Sequence, residues 1–97
     1  MVQICKSEEK TRIVFEGSLD TATCIEMESE VRSAVTDSGQ SLDFDMAGVD
    51  FVSSSFLRLC IHAHKGVGSD RFQIVNVGPE IKRVFKIAGL DMMLKED

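Results

Sequence analysis

Hydrophobic and polar positions first alternate along the chain with the period of a β-strand. Val2 to Cys5 forms one β-rich run, and Thr11 to Glu16 forms a second, in which Ile13 and Phe15 share one face. The polar segment between the two runs is short enough for a turn. The pattern therefore predicts an antiparallel hairpin at the start of the chain, ending at Gly17.

The period then changes to three and four residues, which indicates a helix. One apolar stripe is formed by Cys24, Met27, Val31, Ala34 and Val35. Thr23 and Glu26 fit a capping box at the start of this helix, and Gly39 fits its end. Asp20 is thereby placed where the second strand passes into the helix.

A third strand and a second helix follow. Apolar residues alternate with aspartates along the strand, in the order Leu42, Asp43, Phe44, Asp45 and Met46. Gly48 to Asp50 fits a turn toward Phe51 and Val52, and the next helix ends near Gly66. Its apolar face is formed by Leu57, Cys60, Ile61 and His64, with Phe56, Leu59 and Ala63 beside it.

The last third of the chain repeats this alternation of strand and helix. Phe72 to Val77 predicts a strand, Pro79 opens a helix that ends at Gly89, and Met92 to Leu94 fits a short final strand. The order is β-β-α-β-α-β-α-β, which requires crossover connections and mostly parallel pairing. The prediction is an α/β fold in one domain, residues 1–97, with helices packed on a mixed, mostly parallel sheet.

Charge and composition narrow the function classes. The 97 residues carry a net charge of −5, and no Lys/Arg cluster offers the surface that nucleic-acid binding requires. The chain has no signal-peptide layout and no apolar stretch that could cross a bilayer, so we expect a cytoplasmic protein without direct membrane insertion. Cys5, Cys24 and Cys60 are widely spaced, which favours buried reduced thiols over a zinc site.

Three consecutive serines, Ser53 to Ser55, stand where the third strand passes into the second helix. The first turn of a helix has unpaired N–H groups and the positive end of the helix dipole, so a phosphate there meets favourable electrostatics. Plain capping of the helix by one serine is the commoner role of such residues, and the pattern alone leaves both interpretations open.

Other polar residues give weaker indications. His62 and His64 point to divergent faces of a helix and have no partner at metal-ligand spacing, and Asp43 and Asp45 fit the solvated face of a strand. No base and acid accompany the serines, so neither an enzyme nor a metal or other cofactor is expected. A basic patch that could meet an acidic partner, or simply form a solvated helix face, consists of Lys82, Arg83 and Lys86.

Three segments carry a family resemblance. They are GSLDTAT at 17–23, SLDFDMAGVDFVSSSFL at 41–57 and NVGPEIKRVFKIAGLD at 76–91. Together they resemble the STAS domains of anti-sigma-factor antagonists, in the expected order over nearly the whole chain. The C-terminal helix often found in that family has no counterpart here, which would leave part of the sheet exposed or covered by a partner.

The resemblance implies the site residues. Gly17, Leu19 and Asp20 match a Gly-x-Leu-Asp segment of the family, and the serine that is phosphorylated in family members falls on Ser54. Ser53 stands at a family aspartate and Phe56 at a family glycine. Ser53 and Ser55 are the alternative phosphorylation sites, and the expected partner-binding residues are Asp20, Asp50, Ser53, Ser55 and Phe56. An exposed Phe56 would be an aromatic anchor, and packing of its ring in the core is the alternative of equal weight.

The resemblance also implies a function and partners. It suggests a binding module that is switched by serine phosphorylation, with an ATP-dependent serine kinase/anti-sigma factor as partner and a PP2C-type phosphatase that resets it. The alternative is a non-phosphorylated STAS subunit of a lipid-transport ABC system or of a larger signalling assembly. The serine at position 53 favours this alternative somewhat, because it removes the acidic charge beside the acceptor.

Overall fold

The computed structural model describes residues 2–38 and 41–95. Within these residues, four strands and three α-helices follow one another, with a short 3-10 turn near the end. Their bounds are β1 Val2–Lys6, β2 Thr11–Leu19, α1 Thr21–Thr36, β3 Leu42–Val52, α2 Ser54–Val67, β4 Phe72–Val75 and α3 Pro79–Ile87, and the 3-10 turn spans Asp91–Met93. No helix in these ranges is long and apolar enough to cross a membrane.

The sheet has the strand order β1-β2-β3-β4, with β1 antiparallel to β2 and the other pairs parallel. Crossovers between parallel strands are almost always right-handed. Because β2, β3 and β4 follow one another in a single direction across the sheet, α1 and α2 pack on the same face. One hydrophobic core joins that face to all three helices, which confirms the predicted single α/β domain with a mixed sheet.

Aromatic rings form the centre of this core. The ring centroid of Phe15 lies 4.9 Å from that of Phe44 and 5.0 Å from that of Phe56, in edge-to-face arrangements. Phe72 approaches Phe44 from β4 at 4.9 Å. Pairs of this geometry add about 0.5–1.5 kcal/mol each to the free energy of burial. The core therefore links α2 directly to the two central strands.

The two central strands are longer than the sequence predicts. β2 continues through Gly17 to Leu19, and β3 runs through the expected turn at Gly48 to Val52. Two shifts of register along β2 let the pairing continue, and Gly17 adopts a positive φ of 80° there. A Cβ at Gly48 would lie 3.3 Å from Cγ of Glu16, so this glycine permits close approach of the strands and makes no turn.

The expected ends of other elements also differ. Asp20 caps α1 in place of Thr23, and the expected stop at Gly39 lies outside the described residues. β4 ends at Val75 because Asn76 takes a left-handed φ of 59°. The expected final strand is wrong, because only Leu94 bridges to Ile74 of β4 after the 3-10 turn.

The expected burial of the cysteines is corrected at one of the three positions. Cys24 and Cys60 are buried, and burial raises the pKa of both thiols, whereas Cys5 is exposed. Cys5 pairs with Arg12 across β1 and β2, so it lies on the sheet face opposite the helices. The edge position of β1 explains why this cysteine remains open to solvent.

The aspartates of β3 are buried, although a solvated strand face was expected for them. Asp43 is 1% exposed; it receives a hydrogen bond of 3.0 Å from Arg12 and one of 3.0 Å from Gln73, and it lies 3.2 Å from Nζ of Lys10. Burial by itself raises the pKa of Asp43, but the hydrogen bonds from Gln73, Arg12 and Lys10 outweigh it and lower the pKa below its usual value. The carboxylate is therefore held ionised on the helix-free face.

Asp45, two residues along the same strand, is buried in a similar way. It accepts hydrogen bonds from Asn76 Nδ2 at 3.1 Å and from the backbone N–H of Ala47 at 3.0 Å, and Arg12 lies 3.4 Å away. One arginine thus bridges both aspartates. The polar network joins β2, β3 and the loop after β4 on the side of the sheet opposite the hydrophobic core.

Candidate functional site

The serine cluster lies where β3 ends and α2 begins. Ser53 is the residue that caps the helix: its backbone is extended, and the backbone N–H of Phe56 donates to its Oγ over 3.4 Å. The N–H of Ser53 in turn donates to the carbonyl oxygen of Leu19 over 3.0 Å. The start of α2 is therefore fixed to the end of β2.

The three serine hydroxyls have different surroundings. Ser53 is half-buried, with Oγ 3.8 Å from Sγ of Cys24, and Ser55 donates to Oγ1 of Thr21 over 3.4 Å. Ser54 is exposed, and its hydroxyl makes no hydrogen bond within residues 2–38 and 41–95. Ser54 is therefore the hydroxyl of the cluster that is presented to solvent.

The electrostatics at this helix start suit an anion. The first turn of α2 has no acidic residue, and Ser53 supplies a neutral cap. A group with two negative charges at Ser54 would meet the unpaired N–H groups and the positive end of the dipole. Such an interaction typically stabilises a charge at a helix start by about 0.3–1 kcal/mol.

The two aspartates predicted at the site have different roles. Asp20 caps α1, where its Oδ1 accepts from the N–H of Thr23 over 2.8 Å, and these hydrogen bonds lower its pKa. Because Thr21 contacts Ser55, the structure brings Asp20 to the edge of the serine cluster. Asp50 is exposed near the end of β3, at the same end of the sheet.

Phe56 is not an exposed partner anchor, so that prediction is wrong. Its side chain is 0% exposed and packs between Phe15 and Phe44 in the core. The exposed aromatic residue of the site is Phe51, which is 50% exposed at the end of β3. Strand alternation predicts this exposure, because the side chain of Val52 faces the core and the side chain before it therefore faces outward.

A groove of about 380 Å³ separates α1 from α2 beside the cluster. Its walls include Thr21, Ile25, Glu28, Arg32, Ser55 and Arg58. Arg32 donates to Glu28 over 3.0 Å and lies 3.2 Å from Nδ1 of His62, so it joins the two helices. Within the described residues, no group of histidine, cysteine and acidic side chains is arranged to hold a metal ion.

The basic residues of α3 do not line the groove beside the serine cluster. Lys82, Arg83 and Lys86 are exposed, and they line a shallow depression with Val77 and Pro79. Their use as a binding site for an acidic partner stays a prediction.

The fold and the site together define a class of protein. A mixed four-stranded sheet covered by helices on one face is a SpoIIAA-like α/β fold. The family model described as "Mlab, STAS domain" matches residues 2–95, and the chain belongs to the STAS domain family. Among curated proteins, none matches this chain.

Solved structures support the same fold. An anti-sigma factor antagonist from Mycobacterium paratuberculosis is 23% identical, with a TM-score of 0.86 over 100% of this chain and 86% of that one. The anti-sigma factor antagonist SpoIIAA in its unphosphorylated form is 17% identical, with a TM-score of 0.80 over 100% of this chain and 88% of its own. The phosphorylated form of SpoIIAA, described as a Bacillus cell fate determinant, is 17% identical, with a TM-score of 0.72 over 100% and 91%.

Proposed function

We propose that this chain is a regulatory protein-binding module of the anti-sigma-factor-antagonist type and that phosphorylation of Ser54 switches it. The observation that carries the proposal is the exposed Ser54 hydroxyl at the start of α2, beside a neighbour that already caps the helix. Because capping uses Ser53, a modification at position 54 leaves the fold of α2 intact. The added phosphate instead changes the charge of the surface to which a partner binds.

The partners follow from the kind of switch. The unphosphorylated form binds a cytoplasmic serine kinase/anti-sigma factor, phosphorylation by that kinase releases it, and a PP2C-type phosphatase restores the bound form. A phosphate within an interface acts by repulsion and desolvation. A loss of about 1.4 kcal/mol already weakens binding tenfold, so one phosphate is enough for a switch.

The proposed interface surrounds Ser54. It includes Ser53 and Ser55 at the edge of the helix start, with Asp20 and Asp50 at the ends of the neighbouring strands. Phe51 takes the role of the aromatic anchor in place of Phe56. Aromatic side chains at the centre of an interface often carry much of its binding energy, and half of the Phe51 surface is available for this.

The Ser54 proposal is tested with the cognate kinase, ATP and mass spectrometry of the product. We expect one phosphate on Ser54 in the wild-type protein and in the Ser53→Ala and Ser55→Ala variants, and none in Ser54→Ala. In binding assays, Ser54→Asp should weaken kinase binding at least about tenfold, while Ser54→Ala should retain it. An active kinase that leaves Ser53 to Ser55 unmodified would reject the switch.

The Phe51 anchor has a separate test. Phe51→Ala should weaken kinase binding by about tenfold or more, because it removes the exposed aromatic surface beside Ser54. Isothermal titration calorimetry measures the affinity. The matched control is Ile87→Ala on α3, which removes a side chain that is 80% exposed and lies outside the proposed interface. Equal affinity losses in the two variants would contradict the assignment.

One observation bears on the alternative, a non-phosphorylated STAS subunit of a lipid-transport ABC system or larger assembly. Ser53 stands where the family resemblance places an aspartate, and here it accepts the capping hydrogen bond from Phe56 N–H at 3.4 Å. The serine thus retains the cap but carries no charge beside Ser54. The alternative has its own expected result. An active kinase with ATP would leave the serines unmodified, and the chain would form a stable complex with the other subunits of such an assembly.

A further inference from the structure

Arg58 lies one helical turn after Ser54 on α2, and the proposed switch gives it no role. They are four residues apart in one helix, and both are exposed. Residues at this spacing lie on the same face, with Cβ atoms about 5–6 Å apart. Long side chains in a helix lean toward its N-terminus, so an arginine at position 58 is able to reach a group on position 54.

The guanidinium of Arg58 is available for a ligand. The ion pairs of the described part of the chain join Lys10 and Arg12 to the aspartates of β3, and Arg32 to Glu28, but none engages Arg58. Glu28 and Arg32 line the same groove as Arg58, and they offset each other as an ion pair with a 3.0 Å contact. The charge nearest to Ser54 along its own helix face is therefore the unpaired cation of Arg58.

We propose that Arg58 binds the phosphoryl group of phosphorylated Ser54 within the same chain. The planar fork of a guanidinium matches the geometry of phosphate oxygens and forms two parallel hydrogen bonds with them. The inference rests on the proposed phosphorylation of Ser54 and adds how the modified state is held. Arg58 fixes the phosphate against α2 and partly neutralises it, and it favours the dianion over the monoanion.

The test uses the full chain with phosphoserine inserted at position 54 during translation by a suppressor tRNA, so no kinase is needed. Phosphorus-31 NMR follows the second ionisation of the phosphate, which lies near pH 6 in an ordinary phosphoserine. The pH midpoint of this ionisation in the wild-type chain should lie about half a pH unit below the midpoint in Arg58→Gln. A shift of this size is what one solvent-exposed ion pair produces. Arg58→Lys should give an intermediate midpoint, because it keeps the charge and loses the fork.

Lys65→Gln is the matched control. Lys65 is exposed on the same helix, and its removal changes the net charge equally, but it lies about 16 Å from Ser54 along the helix axis. The control should titrate like the wild-type chain. Equal midpoints in wild type and Arg58→Gln, or equal shifts in Arg58→Gln and Lys65→Gln, would overturn the proposal.

The NMR signal of the Arg58 Nε–H gives a second readout. Its exchange with water should slow when position 54 carries phosphate and should stay fast with an ordinary serine there. Because the phosphate is installed during translation, these results do not depend on the kinase. Failure of the kinase assay would reject the switch, whereas failure of these measurements would reject only the contact with Arg58.

Discussion

Replacing Phe56 by alanine is expected to destabilise the protein by about 3–5 kcal/mol, the range for removing a large aromatic ring from a core. The ring is completely buried and makes an edge-to-face contact with Phe15, at a centroid distance of 5.0 Å. Its loss leaves a cavity between α2 and the central strands, which the surrounding residues fill only in part. Urea unfolding followed by circular dichroism measures the change in the free energy of unfolding.

Phe51→Ala is the matched control for this prediction. It removes the same ring from a position that is 50% exposed, so its effect on stability should be well below that of Phe56→Ala. The two variants should also separate in function, because Phe51→Ala is expected to lower the affinity for the partner. Equal stability losses in the two variants would contradict the assignment of Phe56 to the core and Phe51 to the surface.

The two phenylalanines show where sequence reasoning about the site reached its limit. Helical periodicity correctly predicts α2, but it gives a stripe through Leu57 and Ile61 when the buried residues of the helix are Phe56, Leu59, Cys60 and Ala63. Apolar residues occupy both stripes, so their spacing alone cannot choose between them. The packing partners on β2 and β3 decide which stripe is buried.

The strands show a similar limit. The alternation in β3 assigns Asp43 and Asp45 to the face opposite the core, as observed. Alternation does not reveal what covers that face, because the covering side chains of Arg12, Gln73 and Asn76 come from distant parts of the sequence. Long-range pairing made these residues neighbours, and a local pattern contains no information about it.

The order of the elements up to α3, the parallel pairing and the position of the serines were predictable for a different reason. Each depends on local periodicity together with the right-handed crossover rule, and both act within one strand-helix-strand unit. The assignment of Ser53 as the cap and Ser54 as the exposed hydroxyl required the structure, because three identical side chains give no local preference.

The Asp43→Asn variant should be less stable than the wild type by about 1–3 kcal/mol at pH 7, because it removes the charged acceptor of a buried hydrogen-bond network. Lys10 then loses its negative partner on β3, and Arg12 keeps only Asp45, at 3.4 Å. The effect should depend on pH. The pKa of Asp43 is lowered in the folded protein, so its contribution is complete above the unfolded value of about 3.9 and is lost as the pH falls through the lower folded value.

Unfolding by urea at pH 7 and at pH 3 measures this difference. The stability gap between wild type and Asp43→Asn should narrow at pH 3, because below about 3.9 the unfolded wild-type chain binds a proton at this carboxyl more readily than the folded protein, whose pKa is lowered. Asp70→Asn is the control, because Asp70 is exposed and its replacement should change stability by less than about 0.5 kcal/mol at either pH. A gap that stays constant or widens in acid would show that the ionised form of Asp43 does not stabilise the folded sheet.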